Sequence, residues 1–252
     1  METIIGVLFF VFGMLIGSFL NVCIVRMPLE KSVVTPRSHC IHCQKTIPWY
    51  DNIPLISFLL LRGRCRFCHK KISFRYALVE LLTGISFLFF YKYYGLQPIL
   101  WPYLVMLSGF IVSVFVDIEH RIIPDEITLG GMAAGFVFSF FIPELHQTHI
   151  HLLGAGRSLL GIIIGGGAIY LMGLLGDFIF KKESMGGGDV KFMAMVGAFL
   201  GWKLALLAFF IAPFFGAIVG IVIKIRTKES LIPYGPFLAL GSLLALFFSN
   251  QI

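Results

Sequence analysis

Read end to end, the chain is a series of apolar runs parted by short polar breaks. Eight blocks stand out, at 4–25, 74–91, 98–117, 127–142, 157–180, 190–201, 204–223 and 232–248, each bounded by Gly, Pro or charge. A bilayer core takes about 20 apolar residues as helix. The pattern therefore predicts an all-α polytopic membrane protein of about eight transmembrane helices. The fourth and sixth blocks are short. Only Gly201-Trp202-Lys203 parts the sixth from the seventh, so 190–223 reads either as two spans or as a re-entrant pair. One sizeable polar stretch, 26–73, lies between the first two blocks. The expected division is a first helix at 1–25, a loop domain at 26–73 and a seven-helix membrane domain at 74–252. No internal repeat or low-complexity tract is expected.

Composition agrees with the pattern: 58% of the 252 residues are hydrophobic and 13% charged, against about 45–50% and about 25% in soluble domains. Charge then sets orientation. Ten of the 20 Lys and Arg residues fall between Arg26 and Arg75, and basic residues are retained on the cytoplasmic side. With that loop inside, alternation puts seventeen of the 20 inside and leaves only Lys92, Arg157 and Lys203 outside. Both termini are then expected outside. The first block resembles a secretory signal only in position, because Met1-Glu2 carries no basic side chain and no small-residue cleavage pattern follows. The net charge of +7 reads as topology and attraction to anionic headgroups of the lipid bilayer. No stacking motif or basic helix accompanies it, so nucleic acid is not an expected partner.

The polar loop carries two CxxC pairs, Cys40/Cys43 and Cys65/Cys68, with 21 residues between them. Tetrahedral zinc needs four soft ligands, and two such knuckles offer four thiolates. Disulfides or a redox pair are the alternatives, but the charge rule places the loop in the reducing cytoplasm. The expectation is a structural, zinc-ribbon-like site on Cys40, Cys43, Cys65 and Cys68, closed to substrate water. Cys23, inside the first block, reads as a buried small hydrophobe. His39, His42 and His69 read as solvated turn residues. His146, His149 and His151 read as a polar outer loop, with metal binding as the lesser alternative.

Two aspartates lie at the cytoplasmic ends of apolar blocks. Asp117 ends the third, and Asp189 opens the sixth within the stretch SMGGGDVKFM (184–193). Carboxylates at membrane depth are costly and point to function, although Asp189 also fits a helix N-cap. Two carboxylates sharing one proton make an aspartic protease, one activating water and the other polarising the scissile carbonyl. Asp125, Glu119 and Glu126 are rival partners in the polar turn, with Asp125 also a candidate cap after Pro124. Asp177 reads equally as a boundary residue.

With these residues in view, the chain resembles the type IV prepilin peptidases, GxGD-type aspartic membrane proteases that are also N-methyltransferases of pilus and type II secretion systems. The resemblance rests on GSFLNVCIVRMP (17–28), both CxxC pairs, PWYDNIPLISFLLLRGRCRFC (48–68), RYALVELLTG (75–84), DIEHRIIPDEITL (117–129), GGGDVK (186–191) and IPYGPFLALG (232–241). It implies that Asp117 and Asp189 are the catalytic pair, in the bacterial inner membrane. It implies prepilin and pseudopilin substrates whose short basic leaders are cut after Gly on the cytoplasmic side. It also implies methylation of the new N-terminus with S-adenosylmethionine. No Gly-rich nucleotide-binding turn is present, so Gly63, Arg75 and Glu80 are named only as candidate contacts for the methyl donor.

Two rival classes remain at this level. A transporter would also hold carboxylates at membrane depth, but it would place them near the midplane in inverted repeats. A zinc-ribbon scaffold would explain the loop and leave both aspartates without a role. Tyr234 reads as an interfacial anchor, with proton donation as the alternative. Gly161, Gly165 and Gly173 read as close helix packing.

Overall fold

The computed structural model describes residues 1–181, 185–227 and 233–248. Its helices are α1 (Glu2–Arg26), α2 (Ile56–Leu60), α3 (Arg75–Tyr94), α4 (Leu100–His120), α5 (Asp125–Phe141), α6 (His151–Phe180), α7 (Gly187–Thr227) and α8 (Gly235–Phe248). Among the described residues there is no strand, only two isolated bridges in the cysteine loop. Apart from the short α2, each helix answers to an apolar block, and α7 answers to two. It is interrupted at Gly201, whose φ of 75° and ψ of 170° are non-helical and favour a residue without a Cβ. The GWK break is thus a real bend, placed on its glycine. Glu2–Leu29, Leu100–His120, His151–Ile179 and Gly187–Val222 are each long and apolar enough to cross a membrane; α8 is a shorter apolar helix.

One boundary moves by more than a few residues. The sequence pattern starts the fifth block at Arg157, whereas α6 begins at His151. The Arg157 guanidinium donates to the backbone carbonyls of His146 at 2.6 Å and Gln147 at 3.3 Å. Its charge is met by the preceding turn, so it does not end the helix.

The chain divides into two compact units, Met1–Leu100 and Trp101–Ile252. In the first, α1 turns Gly6, Phe9, Gly13, Gly17, Leu20 and Ile24 inward. A Cβ on Gly13 would meet Phe87 Cβ and the Thr83 carbonyl at 2.8 Å, and one on Gly17 would meet Glu80 Cα at 2.8 Å. The absence of side chains there lets α3 lie directly on α1. Asn21 ties the pair by donating to the Tyr76 carbonyl at 3.0 Å. The buried Glu80 carboxylate accepts the Leu55 N–H at 2.9 Å, which fastens the cysteine loop to α3.

In the second unit α6 and α7 touch backbone to backbone. A Cβ on Gly161 would collide with the Gly197 carbonyl, and one on Gly197 with the Gly161 carbonyl. A Cβ on Gly166 would press on Ala194 at 3.1 Å. The expected small-residue packing is therefore present at Gly161, and a Cβ on Gly173 would meet Met185 Cβ at 3.4 Å. Helix α5 joins α7 through Gly135, where a Cβ would stand 2.8 Å from Ala198 Cβ. Ring contact between Phe110 and Phe192, 5.0 Å between centroids, links α4 to α7.

The turn between α5 and α6 is fastened by His146. Its Nε2 lies 2.8 Å from Ser139 Oγ, and its ring is 3.2 Å from where a Cβ on Gly201 would be. Ser158 Oγ donates to the Ala198 carbonyl at 2.9 Å. Burial holds the His146 imidazole down at about 4, with Arg157 adding to the effect against the Ala198 backbone hydrogen bond. His149 lies 3.8 Å from Glu144, and His151 Nδ1 lies 2.7 Å from the Phe140 carbonyl. The three histidines thus have separate partners.

Two outcomes follow. Gly161→Ala should destabilise the protein by about 1–3 kcal/mol through overpacking, while Gly156→Ala, where a Cβ has open space, should not; denaturation in a detergent titration separates them. As pH falls from about 6.5 toward 4, the unfolded chain takes up a proton that folded His146 refuses, so stability should drop, by on the order of 3 kcal/mol at full effect. His146→Gln should lack that slope.

Candidate active site and cysteine cluster

The loop between α1 and α3 holds two turns of the same construction. In the first, Cys40 N–H donates to the Lys45 carbonyl, Gln44 N–H to Cys40 and Ile47 N–H to Ser38. In the second, Cys65 donates to Lys70, His69 to Cys65 and Ile72 to Gly63. Each partner lies 25 residues after its counterpart. The bridges His39–Thr46 and Arg64–Lys71 match too, as do the left-handed Gln44 and His69. This corrects the expectation of no internal repeat: 38–47 and 63–72 repeat, with only the cysteines, the lysines and the final isoleucines in common. Four identities in ten positions are too few for the repeat to stand out along the sequence.

The turns face each other through their thiols. The four Sγ atoms lie within 4.8 Å of one another, with Cys40 to Cys68 at 3.8 Å and Cys43 to Cys65 at 4.0 Å. Tetrahedral zinc with bonds of about 2.3 Å requires S···S separations near 3.8 Å. All four are free thiols. Burial raises the Cys40 thiol, but backbone hydrogen bonds from Cys43 and His42 and the neighbouring thiols outweigh it and bring it to about 7. Among the described residues this is the one His, Cys, Asp or Glu grouping that could hold a metal ion. Cys23 is buried in α1, as expected.

Asp117 and Asp189 both belong to the second unit. Asp117, on the last full turns of α4, is buried. Its Oδ2 accepts the Gly235 N–H at 2.7 Å, and a Cβ on Gly235 would stand only 2.9 Å from that oxygen. Asp189 sits in the first turn of α7, not at the cap itself. Its carboxylate takes a hydrogen bond from the Gly186 backbone, the backward reach of a capping-box residue. The two carboxylates are near enough for their charges to act on one another. A Cβ on Gly188 would meet Ile123 Cβ at 3.2 Å, so the glycine run lets the α7 start close against the α4–α5 turn. Tyr234 is within reach of the Asp189 charge and lies over Gly216.

The rival partners are placed elsewhere. Asp125 is not the cap of α5, which is Pro124; it is exposed and paired with Lys191, whose Nζ is 2.7 Å from both of its oxygens. Glu119 and Glu126 are exposed. Of the candidate contacts for the methyl donor, Gly63 turns against Phe58, Arg75 lies over the Tyr76 ring, and Glu80 holds Leu55.

Residues 11–94 match the bacterial peptidase A24 N-terminal domain and residues 104–221 the type IV leader peptidase family. The chain belongs to the type IV leader peptidase family. It is 40% identical to a prepilin leader peptidase/N-methyltransferase of Myxococcus xanthus over 89% of this chain, spanning 65% of that relative. To a type 4 prepilin-like proteins leader peptide-processing enzyme of Escherichia coli it is 34% identical, over 93% of this chain and 91% of the relative. To the prepilin leader peptidase/N-methyltransferase of Bacillus subtilis it is 32% identical, over 96% and 94%. No solved structure gives a significant match.

Within this family member, sequence reasoning missed the part that Gly235 plays at Asp117. Its N–H, not a side chain, touches Asp117, so residue type gave no chemical signal. The ion pair of Lys191 and Asp125 was missed for another reason: its members are 66 residues apart. Being exposed, that pair should contribute less than about 1 kcal/mol; Asp125→Asn should leave thermal stability nearly unchanged, and salt should erase any difference.

Proposed function

We propose that this membrane protein is an aspartic endopeptidase that removes the short basic leader of type IV prepilins and pseudopilins after Gly, at the cytoplasmic face of the inner membrane, and then N-methylates the exposed residue. Membership of the leader peptidase family supports the reaction class. The observation that carries the site is that the buried Asp117 lies near enough for its charge to act on Asp189, at the two helix ends the charge rule assigns to the cytoplasm.

In the proposed reaction the two carboxylates hold one proton between them. The ionised member takes a proton from water as it attacks the scissile carbonyl. The protonated member gives its proton to the developing oxyanion; on collapse the carboxyl that took the proton of water passes it to the leaving amine, and the other recovers its own from the diol hydroxyl. Gly235 N–H fixes one oxygen of Asp117 and leaves the other for water. The glycines before Asp189 remove side chains from the approach, so a substrate backbone can lie against the turn. A basic leader is retained on the same side as the loop, which presents the cut next to the membrane surface.

The thiol cluster is assigned to structural zinc. Its spacing fits the metal, and four thiolates leave no ligand position for water, so the ion orders the loop and takes no part in cleavage. Methylation rests on the family. The described residues contain no Gly-rich strand-to-helix turn, so no step is derived through S-adenosylmethionine.

Three outcomes test this. Asp117→Asn and Asp189→Asn, inserted and folded, should each lose prepilin cleavage by several orders of magnitude; near wild-type cleavage by either would reject the pair. Gly235→Ala should lower kcat with little change in KM, because it displaces Asp117 without touching substrate. Purified protein should hold one zinc per chain, and Cys40→Ser should lose it together with protease resistance of the loop, while labelled methyl transfer to cleaved pilin is followed in the same samples.

A further inference from the structure

Beside α1 the first unit carries a cavity of about 560 Å³ that the peptidase reaction does not use. One wall is a face of α1 formed by Leu15, Ser18, Phe19, Val22 and Arg26, spaced three or four residues apart. At 1.5 Å per residue the wall rises about 16 Å from Arg26 to Leu15. Leu15 and Phe19 are half exposed, at 54% and 50%, and belong to the segment apolar enough to cross a membrane. The opposite wall comes from the cysteine loop and includes Val34 and Trp49, both largely open at 80% and 73%.

The cavity is graded along its length. Its upper part is apolar on the α1 side. At the lower end stand two guanidinium groups, Arg26 and Arg37, and no acidic residue lines any part of it. Arg26 donates to the carbonyls of Ser32 at 3.0 Å and Pro36 at 2.7 Å. That uses two of its five N–H donors and holds the group at the cavity floor. Arg37 is exposed.

We propose that this cavity is a binding site for one anionic phospholipid, its phosphate against Arg26 and Arg37 and an acyl chain along Leu15, Phe19 and Val22. The match of charge and depth selects this occupant. A basic prepilin leader would face two like charges there. A small free anion would leave the long apolar wall without a partner, and a zwitterionic lipid would offset the gain at the guanidinium groups with its own cation. A bound lipid would fasten the cysteine loop to the membrane surface beside α1.

The test uses the full chain in neutral detergent, titrated with phosphatidylglycerol or with phosphatidylcholine of the same acyl chains, and bound lipid is counted by native mass spectrometry. One phosphatidylglycerol should bind about tenfold or more tighter than phosphatidylcholine, as expected for two basic groups at a membrane surface. Arg37→Glu, with metal content unchanged, should bring that preference to within about twofold. Arg62→Glu makes the same change of charge elsewhere on the loop and should keep it. Equal binding of the two lipids would overturn the proposal. So would an equal effect of Arg62→Glu, which would mean diffuse attraction, or full competition by millimolar inorganic phosphate, which would mean a plain anion site. None of these outcomes depends on cleavage, so the peptidase reading stands or falls separately.

Discussion

The contact between Gly161 and Gly197 governs the larger unit. Inside a bilayer, lipid tails are as apolar as leucine, so helices are not driven together by burial and must gain from close van der Waals packing. Two backbones can meet only where neither carries a side chain. That contact sets the distance between α6 and α7, and α7 is the helix that carries Asp189 and meets α4, α5 and α8. Gly166 repeats the device farther along α6, and Gly135 repeats it where α5 meets α7. Gly13 and Gly17 repeat it in the first unit, where α1 lies on α3.

Rigid placement matters because the two aspartates come from different helices. Asp117 is fixed by a backbone N–H from the start of α8, and Asp189 by the glycine turn that opens α7. The charge of Arg121, one helical turn on from Asp117, also acts on that carboxylate.

What the sequence disclosed depended on how local each signal was. The cysteine cluster was legible because a CxxC knuckle is a turn of a few residues whose chemistry is written in its side chains. The eight apolar blocks were legible because the bilayer imposes a length, and even the bend at Gly201 announced itself as GWK. The proximity of Asp117 and Asp189 was not legible, since it is made by tertiary packing over some seventy residues of chain. Resemblance to a family supplied that pairing. Gly235 was hidden because its contribution is a backbone N–H, and the early start of α6 was hidden because a charged Arg157 looked like an end.

The repeated turns of the cysteine loop make its thiol cluster a dimer interface within one chain. Each turn brings half of the ligand set, and neither half can close a tetrahedral site alone. The 21 residues between Cys43 and Cys65 therefore act as a tether that sets the effective concentration of one half-site for the other, a quantity in the millimolar range for short linkers and falling as they lengthen. Metal affinity in such a loop is tuned by spacer length and stiffness as well as by the four sulfurs, and the segment that contains α2 is that spacer.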